Sequence, residues 1–341
     1  MRPIHAEYQY QLKEKREERS RCLRLGNALG LAMLLVILVP RFLNRILSGA
    51  VYWLQLPAEV LEPLFNGPVT GELWNVLYSL LTFIPGFILA ARVMRTACTD
   101  LFAFRRPAAA ETGACLLLVL AASVLGNYLS YYLSFLLEST AGVTPYNPDF
   151  SAQPSWFGFA VNVLATAIAP ALIEEFAFRG VALSALRRIG DIPALIVSSL
   201  LFAVMHGNLS QAPFAFITGL GLGLAYLVTG CFWVPVAGHF LVNFISCCID
   251  FSYNLLPESM ISVIYASYQM AVVAVSALIV IVYGMRRWSL PAFPPSGWSG
   301  ESAGRRYYTP VQRGLWVLAS PVMVVYLVLI AVRLATNMVA A

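Results

Sequence analysis

The sequence predicts an all-α, polytopic membrane bundle of about eight or nine transmembrane helices, since one spanning helix takes ~20 apolar residues plus a connection. Three observations carry that expectation. Only 11% of the 341 residues are charged and 59% are hydrophobic, where a soluble domain has about 25% and roughly half. The mean hydropathy is correspondingly high, +0.74. The apolar runs are continuous and not alternating, which excludes an outer-membrane barrel. The charges fall between those runs in clusters that alternate in sign. The same composition excludes a soluble globular domain, a disordered chain and a nucleic-acid partner. Six cysteines without a C-x-x-C pair exclude a small disulfide scaffold.

Along the chain, residues 1–24 carry Arg2, Lys13, Lys15, Arg16, Arg19, Arg21 and Arg24 among Glu7, Glu14, Glu17 and Glu18. They read as a basic cytoplasmic tail that sets topology and can meet anionic membrane lipids. No small-residue cleavage site follows the apolar stretch 28–39, so a cleaved signal peptide is not expected. The bundle then occupies 25–341, with apolar segments near 25–39, 73–91, 113–137, 156–186, 194–208, 212–229, 231–249, 259–284 and 315–335. Residues 42–56, with Arg45, are either an interfacial piece or a continuation beyond a kink at Pro40. Basic connections hold Arg92, Arg95, Arg105 and Arg106, then Arg187 and Arg188, then Arg286, Arg287, Arg305, Arg306 and Arg313. The connections at 138–155 and 250–258 have acids (Glu138, Asp149, Asp250, Glu258) and no base. This positive-inside pattern puts the N-terminus in the cytoplasm of a multi-pass protein, in a bacterial cell membrane, with the C-terminus outside after nine spans. The proline-rich stretch 290–296 reads as a stiff linker. No matched halves of the secondary-transporter kind are visible.

Ionisable groups inside a bilayer are disfavoured by ~2.5 kcal/mol or more, so each requires a reason. Of 17 acids, only Glu174 and Glu175 lie well inside an apolar segment, and Arg179 is the base that shares it. Two of the three histidines, His206 and His239, are in or at neighbouring apolar helices. Glu175 and Arg179 are i and i+4 and can pair on one helix face, which leaves Glu174 about 100° away to face something else. Taken alone, this cluster fits a charge network joining helices as well as a reactive site. Phe202 stands one turn before His206 and can support its ring, and His239 and Asn243 are again i and i+4. Glu174 lies thirteen residues before Arg187 and His206 thirteen after Pro193, which sets both ~20 Å from the shared turn of an antiparallel hairpin. His239 is nine residues from the turn at Gly230, ~14 Å. Gly219, Gly221 and Gly223 suit close helix approach.

A carboxylate shielded from water can accept and return a proton near neutrality, and beside an imidazole it can activate water. A second imidazole with an amide N–H can hold the oxyanion formed at a peptide carbonyl. Glu174, His206, His239 and Asn243 therefore suffice for amide hydrolysis without a nucleophilic Ser or Cys. A metal site is the alternative, with Glu174, His206 and His239 as three zinc ligands. No H-E-x-x-H supports zinc, no G-x-S-x-G elbow is present, and Cys247 and Cys248 read as small apolar residues.

In order along the chain, E-E-x-x-x-R (Glu174, Glu175, Arg179), F-x-x-x-H (Phe202, His206) and H-x-x-x-N (His239, Asn243) resemble the motifs of the CPBP family. That family holds CAAX prenyl endopeptidases and bacteriocin-processing enzymes, also called Abi proteins. The resemblance covers about 155–250. It implies an intramembrane endopeptidase with a water-filled, CAAX-protease-like core. Glu174 and His206 would activate water, and His239 with Asn243 would form the oxyanion site. Glu175 and Arg179 would support the helix. Family members are described both as metalloproteases and as metal-free glutamate proteases; with no further residue offering a fourth protein ligand, the metal-free form is preferred. The implied partner is a membrane-embedded or lipidated peptide or protein substrate. A non-catalytic membrane scaffold or regulator, and a proton- or metal-coupled transporter, are the alternative functions.

Overall fold

Residues 2–54 form one helix. This α1 (Arg2–Leu54) runs through Pro40 without a break, so residues 42–54 continue the first helix. Its basic first part is helical as well, and it is held by side chains. Tyr307 donates its backbone N–H to Glu18 Oε2 (2.8 Å) and its hydroxyl to Glu14 Oε2 (2.6 Å). The Arg19 guanidinium lies 4.1 Å from the centre of the Trp316 ring. The structure, a computed structural model, describes residues 2–55, 57, 59, 67, 69–96, 102–145, 154–285 and 307–340. The proline-rich linker at 290–296 lies outside them.

After α1 come α2 (Thr70–Val93) and α3 (Ala109–Ala141), the latter capped by Gly142 in the left-handed region, at φ +63°. The chain continues through β1 (Val143–Pro145) to α4 (Trp156–Ile189), 34 residues of mixed helical pitch. Next are α5 (Asp191–Met205), α6 (Ala212–Thr229), α7 (Trp233–Ser252) and α8 (Glu258–Met285). The described part of the chain finishes with α9 (Pro310–Leu318), α10 (Pro321–Thr336) and β2 (Met338–Ala340). β2 pairs antiparallel with β1, Val143 opposite Ala340 and Pro145 opposite Met338.

Each of the nine apolar segments is helical, which makes the chain an all-α, multi-pass membrane bundle. Among the described residues, seven helices are long and apolar enough to cross a bilayer, or eight if α9 and α10, bent by 73°, form one span. The fifth segment falls short. α5 has 15 residues, ~22 Å of rise against a hydrocarbon core of ~30 Å, and it stops at His206. The backbone that follows turns at Gly207 and Asn208, both buried, where its polar groups require partners inside the protein.

Two apolar cores fix the helices. One joins α1, α2, α4, α5 and the α9–α10 corner through Leu29, Met33, Phe87, Phe178, Leu201 and Tyr326. The other joins α3, α6 and α7, with α8 at the edge. Small residues set the closest approaches. A Cβ on Gly30 would lie 2.6 Å from the Met323 backbone nitrogen, and a Cβ on Gly223 2.5 Å from the Leu195 side chain. Gly219 likewise faces Phe202 and Ser199 on α5, whereas Gly221 faces Ala122 on α3. The glycines of α6 thus let two neighbours close on it.

Candidate active site

The middle of α4 is not a regular helix. Two π segments, Val163–Ile168 and Phe176–Leu183, flank the α-helical turns Ala169–Glu175 that carry both glutamates. Wide turns of this kind gather at functional sites because they re-aim side chains within a continuous helix. Pro170 sits at the start of the central piece. It has no N–H to offer the Thr166 carbonyl four residues earlier. The Asn243 amide donates to that oxygen instead, at 2.9 Å. One hydrogen bond therefore satisfies a helix break in α4 and orients Asn243 from α7.

Glu175 is fully buried, and its Oε1 accepts two hydrogen bonds. One comes from Arg179 Nη1 at 2.7 Å, the pairing that the i, i+4 spacing predicts. The other comes from His239 Nδ1 at 2.8 Å, across from α7. Arg179 Nη2 also donates to the Gly219 carbonyl at 3.1 Å, which ties α4 to α6. Glu174 lies off this face, as expected. Its side chain keeps 17% of its surface accessible, and its Oε2 is 3.9 Å from His239 Nε2. That separation exceeds a hydrogen bond. His239 thus has one ring nitrogen fixed by a sealed carboxylate and the other turned toward the accessible one.

His206 caps α5. Its Nδ1 lies 2.9 Å from the Phe202 carbonyl oxygen. A carbonyl only accepts, so Nδ1 carries the proton, and in the neutral ring Nε2 keeps its lone pair. Phe202 joins the parts. Its ring meets His206 edge-to-face at 5.2 Å and His239 at 5.8 Å, and the Arg179 guanidinium stands 4.6 Å from its centre. The aromatic support expected for His206 is therefore shared by both imidazoles and the buried cation. Among the described residues no hydrogen bond or ion pair joins Glu174 to His206; Phe202 connects His206 to the cluster.

The sequence reading did not anticipate the Glu175–His239 bond, the Thr166–Asn243 bond or the Gly219 carbonyl as an arginine acceptor. Only Pro170 signals any of them in the sequence, by the acceptor it leaves open in its own helix. Cys247 is buried, with Sγ 3.0 Å from Asn162 Oδ1. An apolar groove of about 360 Å³, lined by Leu172, Ile173 and Phe176 with Phe102 and Phe232, lies on the side of α4 away from Glu174.

A zinc ion held by Glu174, His206 and His239 does not fit the side chains as placed. Among the described residues no three His, Cys, Asp or Glu side chains gather within reach of one metal ion.

Residues 156–245 match the family model described as type II CAAX prenyl endopeptidase, Rce1-like. No curated protein matches the chain. No solved structure matches it. The matched segment begins with α4 and ends inside α7, so it contains Glu174, Glu175, Arg179, Phe202, His206, His239 and Asn243.

Proposed function

We propose that this chain, whose CPBP-family segment at 156–245 holds a buried glutamate–histidine cluster, is an intramembrane endopeptidase. Its substrate is a membrane-associated or lipidated peptide or protein, and its nucleophile is a water molecule activated by Glu174. The supporting observation is the 3.9 Å between Glu174 Oε2 and His239 Nε2. At that separation the two groups do not hydrogen-bond each other, and the Glu174 side chain keeps part of its surface accessible. A water on the carboxylate and a peptide carbonyl oxygen on the imidazole would then be neighbours.

The hydrogen bonds support the roles. Glu174 acts as the base, and His239, its Nδ1 held by the Glu175 carboxylate, donates from Nε2 when both ring nitrogens carry hydrogen. Glu174 takes a proton from water while the water oxygen attacks the peptide carbonyl, and the carbonyl π electrons move onto oxygen. His239 and the second amide N–H of Asn243 receive that oxyanion. His206, its Nδ1–H held by the Phe202 carbonyl, offers Nε2 as a further acceptor for the water. As the C–N bond breaks, Glu174 returns its proton to the departing amine.

The test uses full-length protein in lipid nanodiscs and a panel of fluorogenic peptides, with and without a lipid anchor. Wild type cleaves at least one of them. Glu174→Gln keeps the carboxylate's shape, unfolds at the same temperature and loses about 10²–10⁴-fold in turnover. Turnover undiminished in Glu174→Gln would remove the proposal.

A further inference from the structure

The segment after Arg333 lies outside the matched residues, yet it touches the corner that carries His206. Gly207 follows His206 with φ +62°, a conformation that favours glycine. Space gives a second reason for glycine there. A Cβ on Gly207 would lie 2.6 Å from Arg333 Nε and 2.7 Å from Cζ, so the arginine side chain rests on the Gly207 backbone. One helical turn later, Asn337 Nδ2 donates to the Gly207 carbonyl at 2.8 Å. Without that donor the carbonyl of this buried glycine would be unpaired. The next residues form β2, whose pairing with β1 ties the same segment to the chain leading into α4.

We infer that Arg333 and Asn337 are positioning residues for the reaction: the C-terminal segment 333–340 clasps the turn after α5 and fixes where His206 presents Nε2. The ring's own anchor, the Phe202 carbonyl, sets its orientation relative to α5 only. The Gly207 corner sets where that helix end stands relative to the rest of the site. The motif-bearing segment is then incomplete by itself, and an element from the other end of the sequence finishes it. This inference rests on the proposed peptidase activity for its kinetic consequence, though not for its structural one.

The experiment reads both in the full chain. Diethyl pyrocarbonate labelling followed by mass spectrometry measures the reactivity of His206, with His239 as internal reference. In Asn337→Leu, close in size and without the donor, His206 labelling rises about threefold to tenfold, the factor set by loss of one intramolecular hydrogen bond. His239 labelling stays unchanged. In the same variant kcat falls by a similar factor with KM unchanged, which general destabilisation would not produce in the folded fraction. Asn337→Ser, smaller and polar, is read in the same way should Asn337→Leu fail to fold. Unchanged His206 labelling in a folded variant overturns the inference. Raised labelling in Asn337→Leu, beside a wild type that cleaves nothing, would retain the clasp and overturn the peptidase reading alone.

Discussion

Replacing Glu175 by Gln removes a charge and almost nothing else. The side chain is fully buried, and its Oε1 receives Arg179 at 2.7 Å and His239 at 2.8 Å. A glutamine oxygen can occupy the same position and accept the same bonds. What changes is that the Arg179 guanidinium, itself sealed from solvent, loses its counterion. An uncompensated buried charge of this kind destabilises by roughly 3–5 kcal/mol. The sign reverses in the double variant. Glu175→Gln with Arg179→Met removes the stranded cation together with its partner, and replacing a buried ion pair by groups of similar volume is often neutral or stabilising by about 1–4 kcal/mol. The double variant should therefore unfold at a higher temperature than Glu175→Gln alone. Peptide turnover should not return, because His239 still lacks the negative charge behind its Nδ1–H.

The assay is the thermal unfolding midpoint of wild type, both single variants and the double variant in one detergent, with turnover on one substrate. A coupling between the two sites of more than about 2 kcal/mol is the expected result for neighbours in one network. Additive losses, or a Glu175→Gln variant as stable as wild type, would refute the charge account. Recovery of turnover in the double variant would refute the orienting role of Glu175.

Three further outcomes are expected. Gly26→Val places a side chain where Cβ alone would stand 2.1 Å from the Val317 carbonyl oxygen, so the α9–α10 corner must move off α1. The unfolding midpoint should drop by the equivalent of about 1–3 kcal/mol or more. Gly113→Ala, on α3 with nothing within 4 Å of the added Cβ, should hold or slightly raise it. Dialysis of the active protein against a strong chelator should leave turnover unchanged, checked beside elemental analysis. One zinc per chain whose removal stops cleavage would overturn the water-and-carboxylate mechanism.

The helices were legible because a bilayer imposes a length and a polarity on every span, and both are written in composition. The i, i+4 pairs were legible for a similar reason: Glu175 with Arg179, and Phe202 beside His206, follow from helical pitch alone. What the sequence hid depends on how separate helices meet. Glu175 and His239 are 64 residues apart, and no periodicity reports that their side chains touch. Gly26 and Asn27 form a notch for the distant α9–α10 corner, where Asn27 Oδ1 accepts from the Val322 N–H at 3.0 Å. The sequence shows the small residues but not the partner. The basic N-terminal stretch reads as a tail whose charge sets topology, and its composition does not show that Glu14 and Glu18 meet Tyr307 or that Arg19 covers Trp316.

Energetics separates a reactive site from a structural network more sharply than the motifs do. A scaffold gains little from charged groups inside a membrane, since apolar residues of the same volume would serve its stability at least as well. Glu175 and Arg179 could still be retained for specificity, because they pair with each other and bind α4 to α6 and α7, even though Glu175 Oε2 is buried without a hydrogen-bond partner. Glu174 has no such justification. Among the described residues it makes no hydrogen bond, its nearest charged or titratable neighbour is a ring nitrogen 3.9 Å away, and part of its surface is open. A carboxylate so placed is disfavoured by the bilayer, and among the described residues no hydrogen bond offsets that. On the proposed reading, a water molecule poised against a peptide carbonyl is the occupant that would use both the acid and the oriented imidazole.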